Sequence, residues 1–136
     1  MQVSEVMHKG VSMVQIHDTI KKVAALMKRE DIGAVPVFKN QKAVGFVTDR
    51  DIVISCIAEG HASDGPISEA MGHEIISVME SEDILLASKL MRVNQVSRLL
   101  VVDSGKRPVG MISLHDLARR IDDNELKASL ISEIKR

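Results

Sequence analysis

Displaced by 64 positions, the sequence lies over itself. Residues 3–7 (VSEVM) fall on 67–71 (ISEAM), Val14 on Val78, Ile20 on Ile84, Leu26 and Met27 on Leu90 and Met91, Val37 on Val101, and Lys42 on Lys106. One extra residue in the second copy then moves the offset to 65, and Val44, Gly45, Thr48 and Asp51 meet Val109, Gly110, Ser113 and Asp116. Chance aligns scattered aliphatic residues, but it does not hold one register over such a length. Duplication confines the chain to architectures in which one supersecondary unit occurs twice. Each copy, at roughly 60 residues, is small for a hydrophobic core of its own. The two are therefore expected to pack on each other about a pseudo-twofold axis and to leave clefts where they meet.

Within the first copy, HDTIKKVAALMKRED (17–31) offers Asp18 or Thr19 as an N-cap and sets Ile20, Val23, Ala24 and Met27 on one helical face. GAVPVFKNQKAVGFVTD (33–49) then reads as two β-rich runs, 34–38 and 43–47, joined through polar 39–42 as a hairpin. A second helix from Asp49 to about Glu59 is expected to bury Ile52, Val53, Cys56 and Ile57 and to stop at Gly60. The second copy repeats the series. Ile84, Ala87, Ser88 and Met91 form the face of its first helix, 98–102 and 108–112 are its strands, and Leu114, Leu117, Ala118 and Ile121 lie on its last helix. Short extended pieces, 11–14 and 75–78, precede each first helix and add edge strands. Gly60, Gly65 and Pro66 punctuate the join. The expected organisation is an α/β fold of two βαββα repeats, 1–62 and 63–122. A C-terminal helix over 123–136 follows, with Leu126, Leu130 and Ile134 forming an apolar stripe that its own chain or a partner must cover.

Composition removes several classes of function. Net charge is −1 with Lys and Arg dispersed, so no basic field exists to neutralise a nucleic-acid backbone. Phe38 and Phe46 are the only aromatic residues, which denies the chain the stacking platforms of single-strand binders. No stretch approaches the roughly 20 apolar residues that span a bilayer, and residues 1–10 lack the apolar stretch of a secretory signal, so a cytoplasmic location is expected. A single cysteine, Cys56, agrees with a reducing compartment, and its place on an apolar helix face points to packing rather than nucleophilic chemistry. The five histidines lack zinc-ligand spacing, so no metal is expected. No general base and nucleophile recur as a pair, so the chain is not expected to be an enzyme.

The sharpest local pattern is GFVTDRD (45–51), echoed as GMISLHD (110–116): glycine, two apolar residues, a hydroxyl, two variable positions, then aspartate. Two readings fit it. A hydroxyl followed three residues later by an acid is the capping box of a helix start. The same geometry also presents free backbone N–H groups, beside which a phosphate can settle near the Thr48 or Ser113 hydroxyl. Asp51 or Asp116 can then accept both hydroxyls of a ribose, because a carboxylate offers two acceptors at the spacing of a diol. Arg50, and His115 at the matching position, are candidates to neutralise phosphate charge.

With its paired βαββα pattern, the runs IGAVPVF (32–38) and VSRLLVV (96–102), and the two motifs just quoted, the chain resembles the CBS (cystathionine β-synthase-type) repeat family across essentially its whole length. It looks like a stand-alone tandem pair, the arrangement called a Bateman module. The resemblance implies an adenine-nucleotide site in each of two symmetric clefts, with aspartate on the ribose and Thr or Ser near phosphate. It also implies that adenine lies against Ile32 and Phe46 in one site and Val96 and Met111 in the other, with the pieces at 11–13 and 75–77 closing the pockets. AMP, ADP, ATP and S-adenosylmethionine are the implied ligands. A homodimer, and a regulated enzyme or transporter as effector, are the implied partners. The first copy matches the family pattern more fully. The second has Leu100 where the first has Pro36, and His115 where the first has Arg50. The competing expectation is a homodimerising scaffold whose clefts stay empty and whose aspartates only cap helices.

Overall fold

The computed structural model describes residues 1–121 together with residues 128 and 131. The expected C-terminal stripe of Leu126, Leu130 and Ile134 lies outside the described residues. The chain divides into two compact units, one formed by Ser12–Ile75 and the other by Met1–Val11 with Ile76–Arg136.

In the unit of Ser12–Ile75, a three-stranded sheet runs in the order β2 (Val14–Gln15), β3 (Ala34–Lys39), β4 (Lys42–Thr48). The first pair is parallel, with Val14 opposite Val37, and the second is an antiparallel hairpin. The hairpin turns through Asn40 at φ 58°, a left-handed conformation that asparagine tolerates better than most residues. Helix α1 (Ile20–Glu30) is capped by Thr19, whose Oγ1 accepts the Lys22 N–H at 3.1 Å. Of the two cap candidates Thr19 is the one used, while Asp18 accepts the Gln15 N–H at 2.8 Å and pairs with Lys22. Thr19→Ala is expected to lower stability by about 1 kcal/mol, read as a shift in the denaturant midpoint with unchanged slope.

The core of this unit joins Ile20, Val23 and Met27 of α1 to Val35, Val37 and Val47 of the sheet. Helix α2 opens at Asp49–Asp51 and continues through Ile52–Ile57 in wider π-type turns. Here the amphipathic reading needs correction. Ile52 and Cys56 are buried, but Val53 is 54% and Ile57 69% exposed, and Ala24 on α1 is exposed as well. A three-stranded sheet covers only a narrow stripe of a helix, and residues flanking that stripe stay outside it.

In the other unit, a four-stranded sheet runs β1 (His8–Lys9), β7 (Pro108–Ser113), β6 (Arg98–Val102), β5 (Ser77–Met79). β5 is parallel to β6, and the remaining pairs are antiparallel. Helices α3 (Ile84–Asn94) and α4 (Leu114–Arg120) accompany it. Ile84, Ala87 and Met91 of α3 join Leu99, Val101, Ile112 and Leu117 in the core, as their spacing predicts. The extra residue of the second copy falls in the connection between β6 and β7. There the Asp103 carboxylate gathers the N–H groups of Gly105 and Arg107 at 2.9 Å each.

The compact units do not coincide with the sequence halves. Ile67–Glu69, a 3-10 turn that opens the second copy, belongs with the sheet of the first, anchored by fully buried Ile67. Val3–Glu5, the matching turn of the first copy, belongs with the sheet of the second, anchored by fully buried Val3. Each unit thus combines the helix-strand-strand-helix body of one copy with the leading segment of the other. Among the described residues no helix is long and apolar enough to cross a membrane.

Candidate functional site

The exchange of leading segments explains the glycine that opens each motif. In β4 the main chain of Gly72 lies directly over Gly45. A Cβ at Gly45 would collide with the Gly72 carbonyl oxygen and stand 2.6 Å from the Met71 methyl. Gly72 N–H donates to the Phe46 carbonyl at 2.9 Å, fixing the crossing. In β7 the same contact recurs, with the His8 carbonyl over Gly110 and the Met7 sulfur 3.0 Å from where a Cβ would stand. The motif needs glycine there because another stretch of backbone occupies the space of a side chain.

Each motif ends in a capping box. Thr48 Oγ1 accepts the Asp51 N–H at 3.0 Å and Asp51 Oδ2 accepts the Thr48 N–H at 2.9 Å. Ser113 and Asp116 repeat this at 3.1 and 2.9 Å. The box engages only Oδ2, and among the described residues no group bonds Oδ1 of Asp51. Capping and ligand binding are therefore compatible uses of one carboxylate.

Strand register sets the surroundings. Ala34 pairs with Thr48 and Pro36 with Phe46, so these four side chains share the sheet face opposite core residues Val35 and Val47. Ile32 lies at the entrance to β3, where the Asp49 N–H donates to the Gly33 carbonyl at 3.0 Å and ties the strand start to the helix start. Thr48 is buried, Ile32, Phe46 and Asp51 are half-buried, and Arg50 is exposed. Phe46 and Thr48 thus share one sheet face, whereas Ile32 packs against the core cluster that holds Val35 and Val47. In the second unit, Ser113, Met111 and Val96 are half-buried and His115 is exposed. The Leu114 N–H donates to the Ser97 carbonyl at 2.8 Å, matching the tie in the first unit.

Two side chains on this second face escaped the sequence reading. Arg98, the counterpart of Ala34, pairs in register with Ser113 and so stands on the same face. His8, the counterpart of Gly72, pairs in register with Met111, and its Nε2 lies 3.1 Å from Asp116 Oδ1. Both substitutions are visible at the 64-residue offset, but their relevance depends on knowing which strands neighbour the motif. Pro36 and Leu100 also differ in a way that matters. The Leu100 N–H donates to the Ile76 carbonyl at 3.0 Å, whereas Pro36 has no N–H to offer the edge segment beside it. Among the described residues, no cluster of three His, Cys, Asp or Glu side chains is placed to hold a metal.

Residues 3–56 and 67–123 each match the family model for the CBS domain. The chain belongs to the CBS domain family. A CBS domain-containing protein, YhcV of Bacillus subtilis, is 36% identical over 132 residues, covering 97% of this chain and 94% of that protein. Among solved structures, the CBS domain protein TA0289 from Thermoplasma acidophilum superposes with a TM-score of 0.82 at 24% identity, over 98% of this chain and 75% of that one. The CBS domain protein PAE2072 from Pyrobaculum aerophilum, complexed with AMP, gives 0.77 at 21% identity, over 97% and 99%. The CBS domain pair of MJ0100, in complex with 5'-methylthioadenosine and S-adenosylmethionine, gives 0.74 at 24% identity, over 88% and 94%. The mixed α/β fold is that of solved CBS pairs.

Proposed function

We propose that this CBS pair is a non-catalytic regulatory module of the cytoplasm that binds an adenine nucleotide at its two motifs and signals the binding to a partner. In each half, aspartate (Asp51, Asp116) accepts the ribose hydroxyls, and Thr48 or Ser113 stands near phosphate. Adenine lies against Ile32 and Phe46 in one half and Val96 and Met111 in the other, while Arg50 and His115 face phosphate charge. One observation carries the reading: the half-buried Asp51 uses only Oδ2 for its cap and keeps Oδ1 available beside the face that bears Phe46. CBS pairs of the same fold hold AMP in one case and S-adenosylmethionine in another, which supports an adenosine compound as ligand. A ligand that binds one conformation of the module more tightly than another shifts the balance between them, and a partner reads that shift as a difference in affinity.

Thermal unfolding with and without millimolar AMP, ATP or S-adenosylmethionine tests this. A compound present at about one hundred times its Kd stabilises the folded form by about 2.7 kcal/mol. The midpoint should then rise by several degrees. An unmoved midpoint with every compound would leave the scaffold reading. That reading draws on one observation of its own, the exposed Val53, Ile54 and Ile57 on α2. Apolar side chains so placed suit a homodimer contact.

A further inference from the structure

We infer that His8 is a proton-dependent lock on Asp116, so that the two nucleotide seats of the proposed function, on which this inference rests, are unequal and only the second responds to pH. Asp116 is 6% exposed, and both its oxygens are engaged. Oδ2 accepts the Ser113 N–H, and Oδ1 meets the His8 imidazole at 3.1 Å. At Asp51 the first of these bonds is present and the second is not, because Gly72 stands where the second unit has His8. A ribose diol needs the oxygen that His8 holds. The imidazole side chain is 77% exposed and can swing into solvent, so a ligand has to displace it rather than find the seat closed.

The strength of the lock depends on charge. While the imidazole carries its second proton, the contact is an ion pair with a poorly hydrated carboxylate. Once neutral, it is at most a single hydrogen bond from an uncharged donor to the carboxylate, without the ion-pair attraction. Among the described residues, the other charged side chains on the strands beside His8 and on α4 are Lys9 on its own strand, Arg98 on β6, and His115, Arg119 and Arg120 on α4, while β7 carries none. Among the described residues of these elements Asp116 is the one acid, and it is the group that His8 meets.

The test uses titration calorimetry on the Asp51→Ala protein, in which only the second seat remains, with adenosine as titrant because it carries no phosphate to ionise. Affinity is expected to rise about threefold to fivefold between about pH 5.5 and pH 8. His8→Gln should bind equally at both values, at or above the high-pH affinity. His8→Lys should stay weak at both. In the Asp116→Ala protein, where only the first seat remains, adenosine affinity should show no such step. Equal pH profiles for His8 and His8→Gln would overturn the lock, as would tighter adenosine binding at low pH. If neither adenosine nor AMP binds the unsubstituted protein at either pH, the nucleotide reading falls and the lock with it. Binding at both seats with no influence of residue 8 overturns the lock alone.

Discussion

Gly45→Ala lowers the thermal midpoint by roughly 10 °C, equivalent to about 3 kcal/mol in a domain of this size. The added methyl has nowhere to go. It meets the carbonyl oxygen of Gly72, the Met71 methyl at 2.6 Å and the Gly72 carbonyl carbon at 3.0 Å, and two of these three atoms are backbone. Relief requires the leading segment of the second copy to lift from β4, which breaks the Gly72 to Phe46 hydrogen bond and loosens the anchorage of Ile67. Gly72→Ala is the matched control. A Cβ there would find only the Phe46 carbonyl oxygen, at an ordinary 3.7 Å, so its midpoint should stay within about 2 °C of the parent. Differential scanning calorimetry on both variants decides the matter. Equal midpoints would mean that the leading segment does not cross the motif glycine as described.

Asp51→Ala should weaken adenine-nucleotide binding at the first seat by about thirtyfold or more, the loss expected when a charged acceptor of hydroxyl hydrogen bonds is removed. The fold should survive. Asp51 contributes to stability through one capping bond, of Oδ2 to the Thr48 N–H, and losing it costs about 1 kcal/mol. Asp51→Asn separates the two roles, since the amide oxygen still caps the helix but an NH2 donor replaces the oxygen left to accept a diol. Calorimetry with AMP should therefore show the Asn variant close to Ala in affinity and close to the parent in thermal stability. Undiminished AMP affinity in both variants would show that ribose is held elsewhere.

The repeat, the helix-strand-strand-helix order and most of the core are legible in the sequence. Ile84, Ala87, Ser88 and Met91 are buried as a group because helical spacing alone places them together. The boundaries of the four hairpin strands match to within a residue, since alternating β-rich runs bounded by polar turns leave little choice, whereas the edge pieces expected at 11–14 and 75–78 form strands at Val14–Gln15 and Ser77–Met79 and β1 has no counterpart in that reading. The ends of α1 and α3 were less legible. Both helices close through left-handed residues that are not glycine, Asp31 at φ 53° and Gln95 at φ 54°. The inward faces of α1 and α2 were overstated, because the width of a buried stripe depends on how much sheet lies beneath it. Ala24, Val53 and Ile57 are apolar and correctly spaced, yet nothing in their own unit covers them.

Local chemistry also determined which residues the motifs contain. A hydroxyl and a carboxylate three positions apart make a capping box wherever a helix starts, and duplication supplied two of them. Tertiary structure decided what lies beside each box. The segments that open the two copies exchange places, so Gly72 crosses the Asp51 motif and His8 crosses the Asp116 motif. Residues more than 100 positions apart come within 3.1 Å there. Periodicity and spacing report only on neighbours along the chain, and pairing between a strand and a segment from the far end is set by the closure of a sheet edge. For that reason the sequence shows two similar motifs, and the fold decides that Gly72 lies beside one and His8 beside the other.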